Sequence, residues 1–324
     1  MTDTALLELD DISVHFPIGG GLFGRATGLV RAVDGVSLRV RRGQTVALVG
    51  ESGCGKSTVG YTALGMQAPT AGAVRLDGAD LAAMTPAQRR GLARRMQIIF
   101  QDPGSALNPR MRIGDSIAEP LRIHTRLSAR ERRVRVGALL EQVGLRPEHA
   151  DRMPDAFSGG QRQRIVIARA LTLEPELIVC DEAVSALDVS IQSQILNLLL
   201  DLQQRLGLAY LFISHDLSVV HHVADQIAVM YLGRIVEMAP AETLFATPRH
   251  PYTKALLSAA PRPDPAALSR RTLLTGDLPS PANPPAGCNF VTRCPVARPA
   301  CGHDDPALLP VARDHEVACP YAEA

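Results

Sequence analysis

A glycine-rich stretch that ends in a lysine and two hydroxyl residues has the composition of a phosphate-binding loop. It follows the apolar run Thr45–Val49 and fits the pattern G-x-x-x-x-G-K-[ST]. Glycines let backbone N–H groups turn inward and approach phosphate oxygens without a Cβ in the way. The residues of this loop are Gly50, Glu51, Ser52, Gly53, Cys54, Gly55, Lys56, Ser57 and Thr58.

The last residues of such a loop have separate tasks. Lys56 would reach the β- and γ-phosphates of a nucleotide, and Ser57 would hold Mg²⁺. The helix that begins here would add partial positive charge from its N-terminus. The alternative is a glycine turn that only closes a strand–helix unit. The apolar run before the loop and the helical stretch after it favour the phosphate site.

A pair of acids further along the chain narrows the reaction. Leu177–Cys180 is an apolar run, and Asp181 and Glu182 follow it directly. A carboxylate at the carboxyl end of a buried strand can hold Mg²⁺, and a second one can polarise an attacking water. We therefore assign Asp181 to the metal and Glu182 to the general base. Two solvated acids at a strand end are the alternative, which the upstream loop makes less favoured.

The run Phe157–Arg164, with the sequence FSGGQRQR, lies between the loop and the acid pair. It resembles the signature segment of ABC-type ATPases, which is specific to that superfamily. Further motifs of the superfamily follow the same resemblance. Gln101 resembles the Q-loop glutamine, Ser185–Asp188 resembles the D-loop, and His215 resembles the switch histidine.

The resemblance implies a role for each of these residues. Gln101 would sense Mg²⁺ and the attacking water, and His215 would contact the γ-phosphate. Phe16 would stack on adenine. The alternatives are that Phe16 is a core residue and that His215 is an ordinary surface histidine.

The resemblance also implies that nucleotide sites are shared between two ATPase subunits. The signature would face the γ-phosphate of a nucleotide held by the other subunit, with its helix N-terminus as a second anion-binding surface. Binding of ATP would close the dimer, and hydrolysis would let it open. The signature and D-loop residues assigned to nucleotide binding are Ser158, Gly159, Gly160, Gln161 and Asp188.

Three further segments resemble the ATPase subunits of oligopeptide/dipeptide ABC importers. They are IIFQDPGSALNPR, HPYTKALLSAAP and a tail with four cysteines, and the resemblance covers nearly the whole chain. Relatives of this kind handle dipeptides, longer peptides, nickel chelates or glutathione. One departure is Ala183, where the family usually has proline after the acid pair. We expect altered loop stiffness there, with the chemistry retained because both carboxylates remain.

The tail cysteines are Cys288, Cys294, Cys301 and Cys319, with five, six and seventeen residues between them. No C-x-x-C pair is present, so the usual zinc-ribbon spacing is missing. Proline follows two of these cysteines, as it does at some iron–sulfur ligands. Spacing alone favours free or disulfide-paired thiols. Relatives with this tail are associated with a [4Fe–4S] cluster, so the resemblance implies such a cluster, with zinc as the second choice.

The elements that must position these residues alternate along the chain. Short apolar runs predict buried strands at Thr45–Val49, Met96–Phe100, Leu177–Cys180, Tyr210–Ile213 and Ile227–Tyr231. Helices are predicted at Ser57–Gly65 and Ile191–Leu206. Alternating strands and helices indicate a parallel sheet with helices on its faces. Alternating apolar residues near the N-terminus predict an antiparallel flank, with a loop at the glycines Gly19, Gly20, Gly21 and Gly24.

The predicted fold is an α/β P-loop ATPase of ABC type. It has a mixed sheet core, an antiparallel β flank, a helical subdomain at about 102–176 and an irregular cysteine-containing appendage. The predicted domains are an ATPase domain at 1–260 and a C-terminal extension at 261–324, where prolines become frequent.

Composition limits the function classes. The 324 residues are 46% apolar and carry a formal net charge of +1, which argues against a broad nucleic-acid-binding surface. No long uncharged apolar run predicts a membrane span, and Met1–Asp10 lacks a basic segment typical of a secretory signal. Six cysteines in such a chain favour thiols or metal ligands over disulfides.

The importer interpretation therefore needs separate partners. These are a second ATPase subunit, which is a homologous chain or a second copy, two membrane-spanning permease subunits and an extracytoplasmic solute-binding protein. The chain would lie at the cytoplasmic face of the membrane and would not bind nucleic acid. Two alternatives are an ABC ATPase that acts on DNA or ribosomes and a small P-loop kinase. The sequence has neither the long coiled coil nor the second ATPase unit that the first alternative requires. A small kinase gives no reason for the signature segment.

Overall fold

The structure is a computed structural model that describes residues 5–19, 28–259, 274 and 276–322. Its contacts divide the chain into two compact units. The first unit contains the described residues of Met1–Arg41, Thr45–Ala83 and Ile213–Ala324. The second contains Arg42–Gln44 and Met84–Phe212. The predicted domain boundary at 261 lies outside the described residues and stays a prediction.

Strands and helices alternate through most of the described chain. The strands are β1 (Leu7–Ile18), β2 (Gly28–Val40), β3 (Thr45–Val49), β4 (Ala71–Leu76), β5 (Ala79–Asp80), β6 (Met96–Ile99), β7 (Leu177–Asp181), β8 (Ala209–Ser214), β9 (Gln226–Tyr231), β10 (Arg234–Pro240), β11 (Leu309–Ala312) and β12 (His315–Val317). The α-helices are α1 (Lys56–Ala63), α2 (Pro86–Arg95), α3 (Pro103–Ala106), α4 (Ile113–His124), α5 (Ala129–Gln142), α6 (Gly159–Ala170), α7 (Val189–Leu206), α8 (Leu217–Val223), α9 (Ala241–Ala246) and α10 (Pro251–Ala259).

An antiparallel sheet of order β2-β1-β4-β5 lies in the first unit. β1 pairs with both β2 and β4 in antiparallel register, which confirms the predicted flank. Alternation in β1 buries Leu7 and Leu9, and after a register shift between Leu9 and Ile12 it buries Ile12 and Val14. Gly19 follows β1, whereas the other glycines of the predicted loop, at positions 20, 21 and 24, lie outside the described residues.

A second sheet of the first unit has the order β11-β12-β10-β9-β3. β3 runs parallel to β9, and the pairs from β9 to β11 are antiparallel. All five residues of β3 are buried, as its continuous apolar run predicts. The phosphate-binding loop begins where this buried strand ends, so a rigid element fixes its first residue.

In the second unit the strand order is β8-β7-β6, and β6 runs parallel to β7. Every residue of β7 is buried, and the strand extends one residue past the prediction to include Asp181. β6 is one residue shorter than predicted because its pairing with β7 ends at Ile99, and Phe100 is exposed. Helices α3 to α6 lie within the segment predicted to be helical.

Among the described residues, no helix combines the length and the apolar character that a membrane crossing requires.

Candidate functional site

The phosphate-binding loop connects β3 to α1 and depends on glycine at both of its ends. Gly50 has φ 158°, and a Cβ there would lie 2.2 Å from the carbonyl oxygen of Met230. Gly55 has φ 106°, and a Cβ there would lie 2.0 Å from the carbonyl oxygen of Ala32. Any larger residue would push the loop away from the neighbouring backbone. The sequence pattern predicts glycines for phosphate approach, and the structure adds this second reason for them.

Lys56 is turned into its own loop. Its Nζ donates to the carbonyl oxygens of Gly50 at 2.8 Å and Glu51 at 2.9 Å. The side chain is only 5% exposed, so these bonds compensate for burying a charge. The loop thereby holds a cation beside backbone N–H groups, which is the arrangement that binds anions.

Cys54 is a loop residue whose thiol is buried. It is 1% exposed, and its Sγ lies 3.9 Å from the Nζ of Lys56. Burial raises the pKa of Cys54, although the charge of Lys56 opposes this shift. A buried thiol with a raised pKa is a poor nucleophile, so Cys54 supports the loop by packing. Ser52 and Gly53 are exposed at the loop surface, and Ser57 and Thr58 lie in the first turn of α1.

Two other predicted nucleotide contacts of the first unit are exposed. Phe16 lies in β1, opposite Val30 of β2, and is 39% exposed. It is therefore not a core residue, and its stacking on adenine stays a prediction. His215 follows β8 directly and is also exposed. The next residue, Asp216, caps α8 by accepting from the backbone N–H of Ser218 at 2.8 Å, so the turn after His215 is fixed.

In the second unit, the two predicted acids lie at the carboxyl end of β7. Asp181 is the last residue of the strand and is 7% exposed. Glu182 has φ 50°, a left-handed conformation that costs a residue with a side chain about 1 kcal/mol. The Nε2 of Gln101 donates to Oε2 of Glu182 at 3.2 Å. The structure thus brings the predicted Q-loop glutamine and the predicted general base together.

Hydrogen bonds fix the turn that follows the acids. The backbone N–H and the Oγ of Ser185 both donate to the carbonyl oxygen of Glu182, at 3.1 and 3.0 Å. The Nε2 of buried Gln163 donates to the carbonyl oxygen of Ala183 at 2.6 Å. Ala183 is 1% exposed, so the residue that replaces the usual proline is packed inside the unit. Its predicted effect on loop stiffness stays a prediction.

The signature segment forms the N-terminus of α6. Ser158 is the N-cap, and it forms a capping box with Gln161, in which each side chain accepts from the other residue's backbone N–H. Ser158 and Gly159 are exposed, so this helix N-terminus is open to a ligand or a partner. Asp188 is the exposed N-cap residue of α7, without a side-chain hydrogen bond to that helix.

Two residues that bind the phosphate loop were missed from the sequence. The Oη of Tyr252 accepts from the backbone N–H of Glu51 at 3.0 Å. The Nη1 of Arg293 contacts both carboxylate oxygens of Glu51, at 2.9 and 3.1 Å. These partners are 201 and 242 residues away along the chain, so no local pattern indicates them.

The four tail cysteines line one cavity in the first unit, together with His250 and Phe290. The cavity volume open to a water-sized molecule is about 30 Å³. The pKa of Cys288 is raised to about 11, mainly by burial and in smaller part by negative charge on the other three cysteines. All six cysteines of the chain are described, and each is a free thiol. Within the described ranges, no three His, Cys, Asp or Glu side chains are close enough to share one metal ion.

Comparison with family models finds two matches. Residues 33–185 match the family described as "ABC transporter". Residues 236–301 match the family described as "Oligopeptide/dipeptide transporter, C-terminal region". The first match contains the phosphate loop, the signature and the acid pair. The second contains three of the four tail cysteines and Arg293.

Curated relatives match the chain over almost its full length. A probable peptide ABC transporter ATP-binding protein, y4tS of Sinorhizobium fredii, is 52% identical over 97% of this chain and 89% of its own. The oligopeptide transport ATP-binding protein AppF of Bacillus subtilis is 51% identical over 97% and 96%. The di/tripeptide transport ATP-binding protein DppF of Pseudomonas aeruginosa is 49% identical over 98% of both chains.

Solved structures share the fold. CbiO1 from Clostridium perfringens, described as part of the ABC transporter complex cbiONQ, matches with a TM-score of 0.65 and 26% identity. The match covers 75% of this chain and 91% of that one. The ATP-binding cassette MJ0796, in a dimeric post-hydrolysis state bound to ADP and Pi, matches with a TM-score of 0.64 and 26% identity. That match covers 72% of this chain and 98% of the other.

Proposed function

Since this chain belongs to the family of ATP-binding proteins of peptide ABC transporters, we propose that it hydrolyses ATP to power the import of peptides. The observation that carries this proposal is the identity of about half of all residues across both matched regions. The membrane passage belongs to separate permease subunits. The chain acts as a peripheral subunit at the cytoplasmic face of the membrane, with an extracytoplasmic solute-binding protein on the other side.

We propose separate roles for the two compact units in ATP chemistry. The loop of the first unit binds the phosphates, with Lys56 as the cation and Ser57 as a ligand of Mg²⁺. In the second unit, Asp181 and Gln101 would also hold Mg²⁺, which supplies charge neutralisation of the phosphates when bound. Glu182 accepts the proton of the attacking water. The hydrogen bond from Gln101 to Glu182 supports this last role, because it fixes the orientation of the carboxylate.

We further propose that a second ATPase subunit, either a homologous chain or a second copy, completes each nucleotide site. The open N-terminus of α6 supports this, since exposed backbone N–H groups at a helix N-terminus bind anions. Ser158, Gly159 and Asp188 would then face the nucleotide of the partner. His215 would contact the γ-phosphate, and Phe16 would stack on adenine.

The proposed function is tested by reconstitution. The chain is combined with the permease subunits and the solute-binding protein in lipid vesicles, and ATP hydrolysis is measured with and without peptide. We expect peptide-loaded binding protein to stimulate hydrolysis and radiolabelled peptide to enter vesicles only with ATP. Failure of the chain to associate with any permease subunit, or hydrolysis indifferent to peptide, would reject the importer assignment.

A Ser158→Arg variant tests the shared site. We expect nucleotide affinity close to that of the parent protein, because the phosphate loop is untouched. We expect loss of ATP-dependent dimer closure and of most hydrolysis, because a long cation replaces the hydroxyl at the exposed N-terminus of α6. Nucleotide affinity is measured by titration, and dimer closure by light scattering with ATP.

The matched control for this variant is Ser128→Arg. Ser128 is the N-cap of α5 in the same unit and forms the same kind of capping box, with Glu131. Each substitution should lower stability by about 1 kcal/mol through the lost cap. Only the change at Ser158 should prevent closure. A Ser158→Arg protein that closes and hydrolyses ATP like Ser128→Arg would reject the role of the signature.

For the tail, we propose a structural [4Fe–4S] cluster held by Cys288, Cys294, Cys301 and Cys319. All four line one cavity, which supports the proposal. A zinc ion at about 2.3 Å from each sulfur would draw the four sulfurs to within about 3.8 Å of one another. A cluster binds each thiolate at a different iron, and zinc held by the same four thiolates is the alternative.

Anaerobic purification tests this cluster. We expect about four iron and four sulfide per chain and a broad visible absorption that reduction bleaches. Cys301→Ser should lose the iron, whereas Cys180→Ser, which changes a buried thiol of β7, should retain it. One zinc per chain without iron would reject the cluster, and absence of both metals would reject the site.

A further inference from the structure

Glu51, the second residue of the phosphate loop, is held at three points. Its backbone N–H donates to Tyr252, its carbonyl oxygen accepts from Lys56, and its carboxylate binds Arg293. Lys56 belongs to the loop itself, but Tyr252 lies in α10 and Arg293 lies further on, in the cysteine-containing tail. Two of the anchors of this loop residue therefore come from the C-terminal part of the chain.

Arg293 is fixed by the packing around it. It ends a short 3-10 turn, Val291–Arg293, and its Cζ lies 6.0 Å from the ring centroid of Tyr231. Just before this turn, Phe290 is 1% exposed and packs on Tyr231 and Tyr252, with ring centroids 5.2 and 5.4 Å away. These three aromatic side chains are among the largest fully buried ones of the described residues. The turn that carries Arg293 is thus attached to the core beside the loop.

The ion pair is more protected than an ordinary surface pair. The side chain of Arg293 is 10% exposed and that of Glu51 is 28% exposed. One guanidinium nitrogen lies within 3.1 Å of both carboxylate oxygens. Such a charge-assisted contact is stronger than a neutral hydrogen bond, and partial burial reduces its screening by salt.

The charge of Glu51 gives this contact a function. A carboxylate within a loop that binds a polyphosphate repels the ligand unless a cation neutralises it. Lys56 contacts the backbone oxygen of Glu51, whereas Arg293 contacts the carboxylate itself. Arg293 is therefore placed to neutralise the carboxylate and, through this side chain, to connect the tail to the loop.

We propose that Arg293 is a positioning residue of the nucleotide site. Through it, the C-terminal tail contributes to nucleotide binding by the phosphate-binding loop. Arg293 acts through Glu51 and does not itself touch the nucleotide. The inference rests on the proposed function in one respect, namely that the loop binds ATP.

The test compares four variants by titration with a fluorescent ATP analogue and by steady-state hydrolysis. Arg293→Ala should weaken nucleotide affinity and raise KM about tenfold, with a smaller change in kcat, because it leaves the Glu51 carboxylate without its cation. Arg293→Lys should recover part of the affinity, since a cation remains. Glu51→Gln removes the carboxylate charge and sets the reference affinity for this pair of variants. Glu51→Gln combined with Arg293→Ala should come close to that reference and so recover most of the affinity lost in Arg293→Ala.

The recovery in the double variant separates charge neutralisation from a merely structural role. A residue that only stabilised the tail would leave the double variant as weak as Arg293→Ala. The control is Arg298→Ala in the same tail, where the arginine is exposed and stacks on Tyr321 at 4.2 Å. It should bind nucleotide like the parent.

The outcomes distinguish the two levels of the proposal. A parent protein that does not bind ATP would overturn the proposed function itself. A parent that binds ATP, with Arg293→Ala unchanged in affinity or with no recovery in the double variant, would overturn the positioning role alone. If Arg293→Ala fails to fold, the affinity of Arg293→Lys with and without Glu51→Gln gives the same comparison on a cation-retaining background. In that comparison, a loss of affinity in Arg293→Lys that Glu51→Gln does not reverse would overturn the positioning role of Arg293.

Discussion

Glu182→Gln is expected to keep ATP binding and to lower steady-state hydrolysis by about 10²–10⁴-fold, the range that general bases contribute. The substitution removes the group that accepts the proton of the attacking water and leaves the size of the side chain unchanged. ATP should then stay bound and hold the dimer closed, because the contacts to the γ-phosphate persist. Hydrolysis is followed by phosphate release, and binding by titration with ATP and Mg²⁺.

The local structure explains why this variant should fold normally. The amide oxygen of the new glutamine can accept from Gln101 as the carboxylate does, at 3.2 Å in the parent. The left-handed backbone at φ 50° places the same demand on both side chains. The hydrogen bonds from Ser185 involve only the carbonyl oxygen of residue 182. A loss of activity would therefore report on proton transfer.

Glu174→Gln is the matched control. Glu174 lies in the same compact unit, has φ 53°, and forms an ion pair with Arg135. Glu174→Gln makes the same chemical change at another glutamate with a left-handed backbone. Its rate of hydrolysis should stay near that of the parent. If Glu182→Gln also retained parental turnover, Glu182 would not be the base.

The parts of the site that depend on local sequence could be predicted. An unbroken apolar run buries a strand on both faces, and glycine or acidic residues directly after it must lie at the strand's carboxyl end. This reasoning placed the phosphate loop after β3 and Asp181 at the end of β7, where the structure has them. A helix N-terminus at the signature was also expected, and the structure adds the capping box of Ser158 with the glutamine three residues later.

The parts that depend on distant contacts could not be predicted. Glu51 meets Arg293 only because α10 and the tail return to the loop after more than two hundred residues. Spacing along the chain likewise did not indicate that four unevenly separated cysteines line one cavity.

The short strands of the tail show the same limit. In β11 every residue is exposed, so no buried face creates an alternating pattern. β12 has three residues, and its His315 lies 2.8 Å from Glu237, a carboxylate of β10 that is 0% exposed. In the sequence, a buried glutamate that pairs with a histidine 78 residues later looks the same as an exposed glutamate and an exposed histidine. Only the fold distinguishes the two cases.

Lys56→Ala should weaken ATP binding by about 100-fold, because it removes a charged donor from a phosphate site of low exposure. Hydrolysis at saturating ATP should also fall, since charge that develops on the phosphates in the transition state loses its cation. Nucleotide affinity is measured by titration, and kcat is measured separately at saturating ATP.

The chain offers a matched control because it contains only two lysines, Lys56 and Lys254. Lys254 is exposed on α10, so Lys254→Ala should leave affinity and turnover unchanged.

Lys56→Arg separates the effect of charge from that of side-chain shape. The ammonium lies between two carbonyl oxygens at 2.8 and 2.9 Å in a buried position, where a planar guanidinium of larger size does not fit. Arginine should therefore restore the charge without restoring affinity. Parental affinity in Lys56→Ala would reject Lys56 as the phosphate cation, and full recovery in Lys56→Arg would show that charge alone, without the enclosed geometry, accounts for binding.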